Sequence, residues 1–200
     1  MKSIILLIKS KIIIIFLKML GIKINFKTQI YNFPKLKIRG DAKNIIIGKV
    51  LILGKIDLRN RESGKIIFKD GCRIESNCRF VSAREGTVQV GFNTLVTMGA
   101  IINGGADVII GNNCILGPRI SINANEHVFK KNKLINTQGF IHKDVIIEDD
   151  CWFGANVVIN KGVNIKFGSV IGAQSLVNKD TEINSINAGV PSKKISERKE

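Results

Sequence analysis

The chain has 200 residues, of which 44% are hydrophobic and 24% charged, a composition typical of one compact globular domain. Its uninterrupted apolar runs are shorter than the roughly 18 residues of a spanning helix, which argues against a polytopic membrane protein. The 31 Lys and Arg residues against 16 Asp and Glu give a net charge of +15, which favours an anionic partner: a lipid surface, phosphates, an acidic glycan or nucleic acid. Nucleic acid is the weakest of these, because the sequence has no RNA-binding motif and no zinc-finger spacing.

Residues 1–40 form a basic, apolar amino-terminal extension, distinct from the domain that we expect over 41–200. They contain nine Lys or Arg residues and no acidic residue. Residues 4–20 are IILLIKSKIIIIFLKML, where lysines interrupt the apolar runs and no small-residue cleavage site follows, which argues against a signal peptide. Two interpretations stay open. The segment is a helix on the anionic inner leaflet of a membrane, or a helix or strand that packs on the domain or on a neighbouring subunit.

From residue 47 onward an aliphatic residue or Phe recurs every six positions, in groups of three. This period matches neither a helix, with about 3.6 residues per turn, nor a strand, with about 2. It predicts an all-β solenoid, a left-handed parallel β-helix in which each hexad is a short strand plus a corner and three hexads make one triangular coil. About six coils are expected, with inward positions at Ile47, Leu53 and an irregular Arg59; Phe68, Ile74 and Phe80; Val90, Val96 and Ile102; Ile110, Leu116 and Ile122; Ile147, Phe153 and Ile159; and Ile165, Ile171 and Val177.

One long loop interrupts this column. The interval from Ile110 to Ile147 is 37 residues, whereas the next coil begins 18 residues later. The surplus predicts a protruding loop over about 123–146, and such loops on rigid scaffolds commonly carry function. A carboxyl-terminal tail over 178–200 follows the last coil.

The four cysteines share one position in the repeat. Cys72, Cys78, Cys114 and Cys151 each follow the inward residue of a hexad by four places, where other hexads have Thr, Ala or Ser. This pattern predicts small inward-facing side chains, with no disulfide and no metal site. Unpaired thiols without an export signal point to the cytoplasm.

Both histidines lie in the predicted loop. His127 is close to the point where the loop leaves the column, and His142 is close to its return. An imidazole beside a hydroxyl contributes about 10²–10⁴-fold as a general base. For His127, a catalytic role and an exposed histidine without a role are both open, whereas for His142 we favour the second interpretation.

The hexads, the loop sequence NEHVF, the run from Asp149 to Asp180 and the sequence AGVPSKKI at 188–195 resemble the hexapeptide-repeat acyltransferases. More narrowly, they resemble the O-acetyltransferases of bacterial surface polysaccharides, over about residues 40–195. The resemblance implies a homotrimer of parallel prisms with its active site between adjacent subunits, acetyl-CoA as co-substrate and no metal. It also implies that a loop histidine deprotonates the acceptor hydroxyl, which attacks the thioester directly.

Carried over to this sequence, the resemblance makes His127 the general base and brings Asn125, Glu126 and Trp152 close to the acceptor. Trp152, the only tryptophan, forms a wall for the acceptor or packs at the subunit interface. Glu126 is less suited than a backbone carbonyl to orient His127, because adjacent side chains in an extended loop point apart. The implied acetyl-CoA contacts are the backbone N–H groups near Gly154 and Ala155 along the thioester, Ala173 beside the pantetheine arm, Asn178 and Lys179 near the adenine, and Lys193 facing the phosphates.

The sequence therefore predicts an acetyl-CoA-dependent O-acetyltransferase acting on a hydroxyl of a bacterial surface glycan, a capsule or O-antigen, or its precursor. Two alternatives stay open: an N-acetyltransferase of a nucleotide-linked amino sugar, and a non-catalytic trimeric β-helix scaffold. A γ-type carbonic anhydrase of the same architecture is excluded, because it needs three metal-binding histidines and the chain has two. We expect a cytoplasmic homotrimer, with peripheral attachment to the anionic inner membrane as an open possibility.

Overall fold

The computed structural model describes residues 2–199, which form one helix followed by a column of short parallel strands. The column is a β-solenoid, which confirms the predicted parallel β-helix. The helices are the α-helix α1 at Lys2–Met19 and the 3-10 turns Ala42–Asn44 and Ile135–Thr137.

Three parallel sheets form the faces of the column, and seven coils stack along its axis. The strands of face A are Lys23–Ile24, Ile45–Ile47, Lys65–Phe68, Thr87–Val90, Val108–Ile110, Val145–Ile147 and Asn164–Ile165. Those of face B are Gln29–Ile30, Leu51–Ile52, Arg73–Ile74, Leu95–Val96, Ile115–Leu116, Trp152–Phe153, Val170–Ile171, Ser185–Ala188 and the antiparallel Lys193–Glu197. Those of face C are Lys35–Ile38, Asp57–Asn60, Arg79–Ser82, Ile101–Asn103, Ser121–Asn123, Val158–Ile159 and Leu176–Val177.

The column begins one coil earlier than the repeat predicted. Residues 23–38, expected in the amino-terminal extension, supply the first strand of each face. The six-residue spacing holds there too, at Ile24, Ile30 and Leu36, but the outward positions are mostly lysines and no glycine follows the inward residues. The repeat is therefore present in the apolar residues of this segment, but its many lysines made it look like a separate extension.

The predicted inward residues from Phe68 to Val177 are all buried. The prediction was wrong in the second coil, where Ile52 and Leu58 point inward instead of Leu53 and Arg59. The step from Ile47 to Ile52 has five residues, and a shift of one residue exchanges the two sides of a strand. Arg59 points outward and pairs with Asp57 at 2.7 Å.

The corners explain the position of the cysteines. The residue before each thiol has a positive φ, at Gly71 (79°), Asn77 (61°), Asn113 (55°) and Asp150 (59°), which turns the chain sharply and suits Gly, Asn and Asp. The residue that follows turns back into the prism, so all four thiols are buried and unpaired. Burial raises the pKa of Cys72 and Cys78 to about 11.

Helix α1 covers the open end of the first coil. It buries one stripe, which consists of Ser10, Ile13, Ile14 and Leu17, and Gly21 (φ 91°) ends it. The Ile30 N–H donates to the hydroxyl of Ser10 at 3.0 Å, which fixes the helix across the first coil. Within residues 2–199, no helix has the length and apolar character needed to cross a bilayer.

Candidate functional site

The predicted loop leaves the column after Asn123, at the corner between faces C and A, and returns at Val145. Its base is an antiparallel hairpin of Asn125–His127 with Phe140–His142. Directly opposite residues of such a pair project their side chains to the same side, and the pairs are Asn125 with His142 and His127 with Phe140. One side of the hairpin therefore carries both histidines, and Glu126 lies on the other.

His127 ends its strand in an exposed position. Its ring centroid lies 4.1 Å from that of Phe140, with the planes tilted by 38°, and Phe140 lies 6.1 Å from the ring of His142. This row of rings limits the orientations open to the imidazole of His127 and keeps it accessible. It is therefore suitably placed to accept a proton from a group that approaches from outside.

Glu126 points away from this row. Its carboxylate pairs with the ammonium of Lys161, on the other side of the hairpin. The pair ties the loop to the column one coil further on, and it leaves no contact through which Glu126 orients His127. Asn125, opposite His142, lies on the side of the histidines.

His142, for which we expected no role, closes one end of a groove. Its Nδ1 is buried against Gly105 and has no hydrogen-bond partner among residues 2–199, and a Cβ added at Gly105 would lie 2.5 Å from that nitrogen. Burial, and then the charge of Arg84, lower the pKa of His142 below its usual value. The sequence does contain a sign that His142 lies beside His127, since Asn125 and His127 alternate as Phe140 and His142 do. That sign can be recognised only when the two segments are known to pair.

The groove has a volume of about 770 Å³ and follows the corner between faces C and A. Its charged lining is one guanidinium, that of Arg84, against the carboxylates of Glu62, Glu85, Asp107 and Asp144. Asp107 and Asp144 also accept backbone N–H groups, at 2.7 and 2.9 Å, so that they hold the successive corners in place. The groove is acidic although the whole chain carries +15.

A second group of predicted residues lies on face B and at the corner between faces B and C. Trp152 is 54% exposed in the middle of face B, and its side chain points out of the column. The Gly154 N–H donates to the carbonyl of Ile171 at 2.8 Å, so it is not available to a ligand. Among the described residues, the N–H groups of Ala155 and Ala173 donate to no protein acceptor.

This corner is narrow at its glycines, and the side chain of Arg119 spans it from one coil to the next, where its Nε donates to Oδ1 of Asn156 at 2.8 Å. A Cβ added at Gly154 would lie 2.6 Å from the backbone nitrogen of Ala173, and one at Gly117 would lie 2.5 Å from the carbonyl oxygen of Phe153. Backbone therefore stacks directly on backbone from coil to coil. Beside these glycines the corner presents the backbone N–H groups of Ala155 and Ala173, which suit an extended amide-bearing chain.

The remaining predicted residues divide between two corners. Lys193 pairs with Ala188 in the strand that extends face B, and a Cβ at Gly172 would lie 3.0 Å from that of Ala188. Lys193 therefore lies close to the Ala173 corner. Asn178 and Lys179 follow the last strand of face C, at the corner from which the loop leaves. Within one chain the structure separates them from Lys193.

His127 and the narrow corner also lie apart. His127 projects from the corner between faces C and A, whereas Ala155 and Ala173 lie at the corner between faces B and C, so the whole of face C separates them. In the part of the chain that the structure describes, no group of three or more His, Cys, Asp or Glu side chains is arranged to hold a metal ion.

No family model matches the sequence. A galactoside O-acetyltransferase of Lactococcus lactis is 38% identical over 85 residues, which are 42% of this chain and 41% of that protein. A galactoside O-acetyltransferase of Escherichia coli is 33% identical over 110 residues, 55% of this chain and 54% of that protein. The chain thus spans about half the length of the curated relatives that it matches.

Two solved structures are similar over more of the chain. The polySia-specific acetyltransferase NeuO is 26% identical with a TM-score of 0.52, covering 82% of this chain and 74% of that one. A hexapeptide-repeat acetyltransferase of Vibrio cholerae, solved with acetyl-coenzyme A, is 26% identical with a TM-score of 0.52, covering 74% of this chain and 72% of that one.

Proposed function

We propose that this chain is a hexapeptide-repeat acyltransferase, which transfers an acetyl group from acetyl-CoA to a hydroxyl of a saccharide. His127 is the general base in this proposal. The observation that carries it is the exposed imidazole of His127 on the same side of the hairpin as a polar groove. Deprotonation of a bound hydroxyl requires it to reach hydrogen-bond distance of the base, and the row of rings from His142 through Phe140 leads from the groove to His127.

The reaction needs one proton transfer in each direction. The imidazole of His127 takes the hydroxyl proton while the acceptor oxygen forms a bond to the thioester carbonyl carbon. The Ala155 N–H donates to the oxyanion that develops on the carbonyl oxygen. The carbon–sulfur bond then breaks, and the thiolate of CoA leaves with the proton that the imidazolium returns.

The acceptor lies in the groove, where carboxylates accept hydrogen bonds from hydroxyls and Arg84 donates them. Four carboxylates against one guanidinium repel a polyanion, so a neutral glycan or glycan precursor is the preferred acceptor. The same carboxylates favour an ammonium, which keeps an amino sugar as the second candidate. Offering a neutral saccharide, its amino-sugar analogue and a polysialic acid in parallel, with acetyl-CoA, separates these acceptors by their kcat/KM.

Acetyl-CoA lies along the narrow corner of Ala155 and Ala173, with its phosphates toward Lys193. Lys194 is already engaged by Glu182 at 2.6 Å and Glu197 at 2.5 Å, whereas Lys193 forms no ion pair within residues 2–199. An ammonium whose charge is not already balanced by a carboxylate can pair with a phosphate. Asn178 and Lys179 lie at the other corner, so in this proposal they contact the acetyl-CoA bound by a neighbouring copy or do not contact acetyl-CoA.

The separation of His127 from this corner calls for a second copy of the chain. In a cyclic trimer, one protomer supplies the loop with His127 and its neighbour supplies Ala155 and Ala173. We infer that this copy belongs to a homotrimer, which is the assembly that the resemblance to the hexapeptide-repeat acyltransferases implies. The expected mass in solution is about three times the 22.1 kDa of one chain.

The first test replaces His127 by Ala. We expect kcat to fall by about 10²-fold or more with little change in KM for acetyl-CoA, because the base acts only on the acceptor. The matched control is Lys133→Ala, an exposed residue at the tip of the same loop, which should retain activity. Unchanged turnover of H127A with an intact fold would refute the assignment of the base.

The second test combines two inactive variants. Ala155→Trp blocks the corner in one protomer, and H127A removes the base in another. After mixing by unfolding and reassembly, about one interface in four pairs an intact loop with an intact corner, so about a quarter of the wild-type rate should return. No recovery from mixed trimers would mean that each site is built within one chain.

A further inference from the structure

Outside the groove, a large exposed surface that is both apolar and basic lies on the amino-terminal cap. We define the cap as residues 4–38, which are the described side chains of helix α1 together with the first coil. Ser10, Ile13, Ile14 and Leu17 hold the helix on the coil. The opposite stripe of the helix is also apolar, at the helical spacing of Ile8, Ile12, Ile15 and Met19, and all four side chains are exposed.

The exposed apolar surface of the cap continues onto the first coil. Phe33 packs edge-on against Phe16, with ring centroids 5.7 Å apart. The large hydrophobic side chains that are at least 40% exposed here are Ile4, Ile5, Leu6, Leu7, Ile8, Ile12, Ile15, Phe16, Met19, Leu20, Phe26 and Phe33. A soluble domain rarely leaves so many apolar side chains together in water, and such a patch is the mark of an interaction surface.

The charge of the cap has one sign. Residues 4–38 hold seven Lys residues and no acidic residue, so the cap carries +7 of the net +15. The ammonium of Lys18 lies 3.7 Å from the ring centroid of Phe26, and Lys11 donates to the carbonyl of Phe26. Cations are therefore interspersed with the exposed apolar side chains.

We propose that the cap binds the surface of an anionic phospholipid bilayer, with α1 in the plane of the headgroups. Aliphatic and aromatic side chains enter the boundary between headgroups and acyl chains, and the lysines contact the phosphates. A second copy of the chain fits this surface less well, because a cap packed on a cap brings two clusters of lysines together without any carboxylate between them.

The test measures binding of the full chain to sedimented vesicles, of phosphatidylcholine alone or mixed with phosphatidylglycerol. We expect at least about tenfold tighter binding to the anionic vesicles and a loss of that preference at high salt. The variant Ile8→Glu/Ile12→Glu should lose binding about tenfold or more. Leu134→Glu/Ile135→Glu makes the same change on exposed apolar residues of the loop tip and should bind like the wild type.

Circular dichroism and thermal melting establish that each variant is folded. If the Glu variant fails to fold, Lys9→Gln/Lys18→Gln changes exposed side chains only and should weaken binding to anionic vesicles alone. Equal binding of the wild type to both vesicle types would overturn the proposal. So would an assembly in solution, the proposed trimer or a larger one, that Ile8→Glu/Ile12→Glu dissociates, because a second copy would then occupy the cap.

Discussion

Gly105 lies where the hairpin rests on the column, and replacing it by Ala tests whether that contact positions the histidines. The new Cβ would lie 2.5 Å from Nδ1 of His142 and 2.8 Å from its Cε1. Ordinary contact begins at 3.4 Å, so the ring must move by about 1 Å, and we expect that movement to shift the hairpin strand that holds it. Gly105 does not have a positive φ, so Ala adds no backbone strain.

A displacement of about 1 Å in a site that needs aligned groups costs up to about 10²-fold in rate. We therefore expect Gly105→Ala to lower kcat/KM by about 10- to 100-fold, in an acetyl-transfer assay that follows release of free CoA. Overpacking costs about 1–3 kcal/mol in a tight site, so the melting temperature should fall only moderately.

The control is the same change in a chain that lacks the ring. In a His142→Ala background the new methyl group has space, so Gly105→Ala should then alter kcat/KM by less than about twofold. An equal loss in both backgrounds would refute the reasoning, as would a G105A enzyme with wild-type activity.

Two further predictions concern stability. Phe153→Ala removes a fully buried ring from the sixth coil and should lower the free energy of unfolding by about 3–5 kcal/mol in urea titrations, whereas Trp152→Ala, on the exposed side of the same strand, should cost far less. His142 has a pKa lowered from 6.5, so the unfolded chain binds its proton first as pH falls. Stability should therefore rise with pH up to about 6.5 and decline below it, and His142→Gln should flatten that slope; a slope unchanged by H142Q would contradict the shift.

The six-residue period predicts most of the fold because every sixth residue points into the column. Where a coil keeps the rule, as from Phe68 onward, the burial of every inward residue follows from spacing alone. The period fails at Leu53 because a single missing residue exchanges inside for outside. It missed the coil at Ile24 because lysines, not corner glycines, surround the apolar residues there.

The site follows from the sequence only in part, for a different reason. The loop and its base residue His127 come from an insertion that can be counted, but the hairpin that joins Asn125 to His142 depends on a pairing across the loop. The groove is formed by four corners that begin at Glu62, Arg84, Gly105 and His142, so they lie 22, 21 and 37 residues apart in sequence. No local pattern connects Glu62 with Arg84 or Asp144.

The direction of the groove connects the two proposals. Its lining begins with His142 at the fifth coil and descends through Asp107 and Arg84 to Glu62 at the second, toward the amino-terminal cap. Along face C, four strand steps of about 4.8 Å separate the first coil from the fifth, so the hairpin leaves the column about 19 Å from the first coil. With the cap on a bilayer, a saccharide in the groove lies between the membrane and His127. If both proposals hold, we expect a glycan attached to a lipid carrier to be acetylated with a higher kcat/KM than the same glycan released as a polymer.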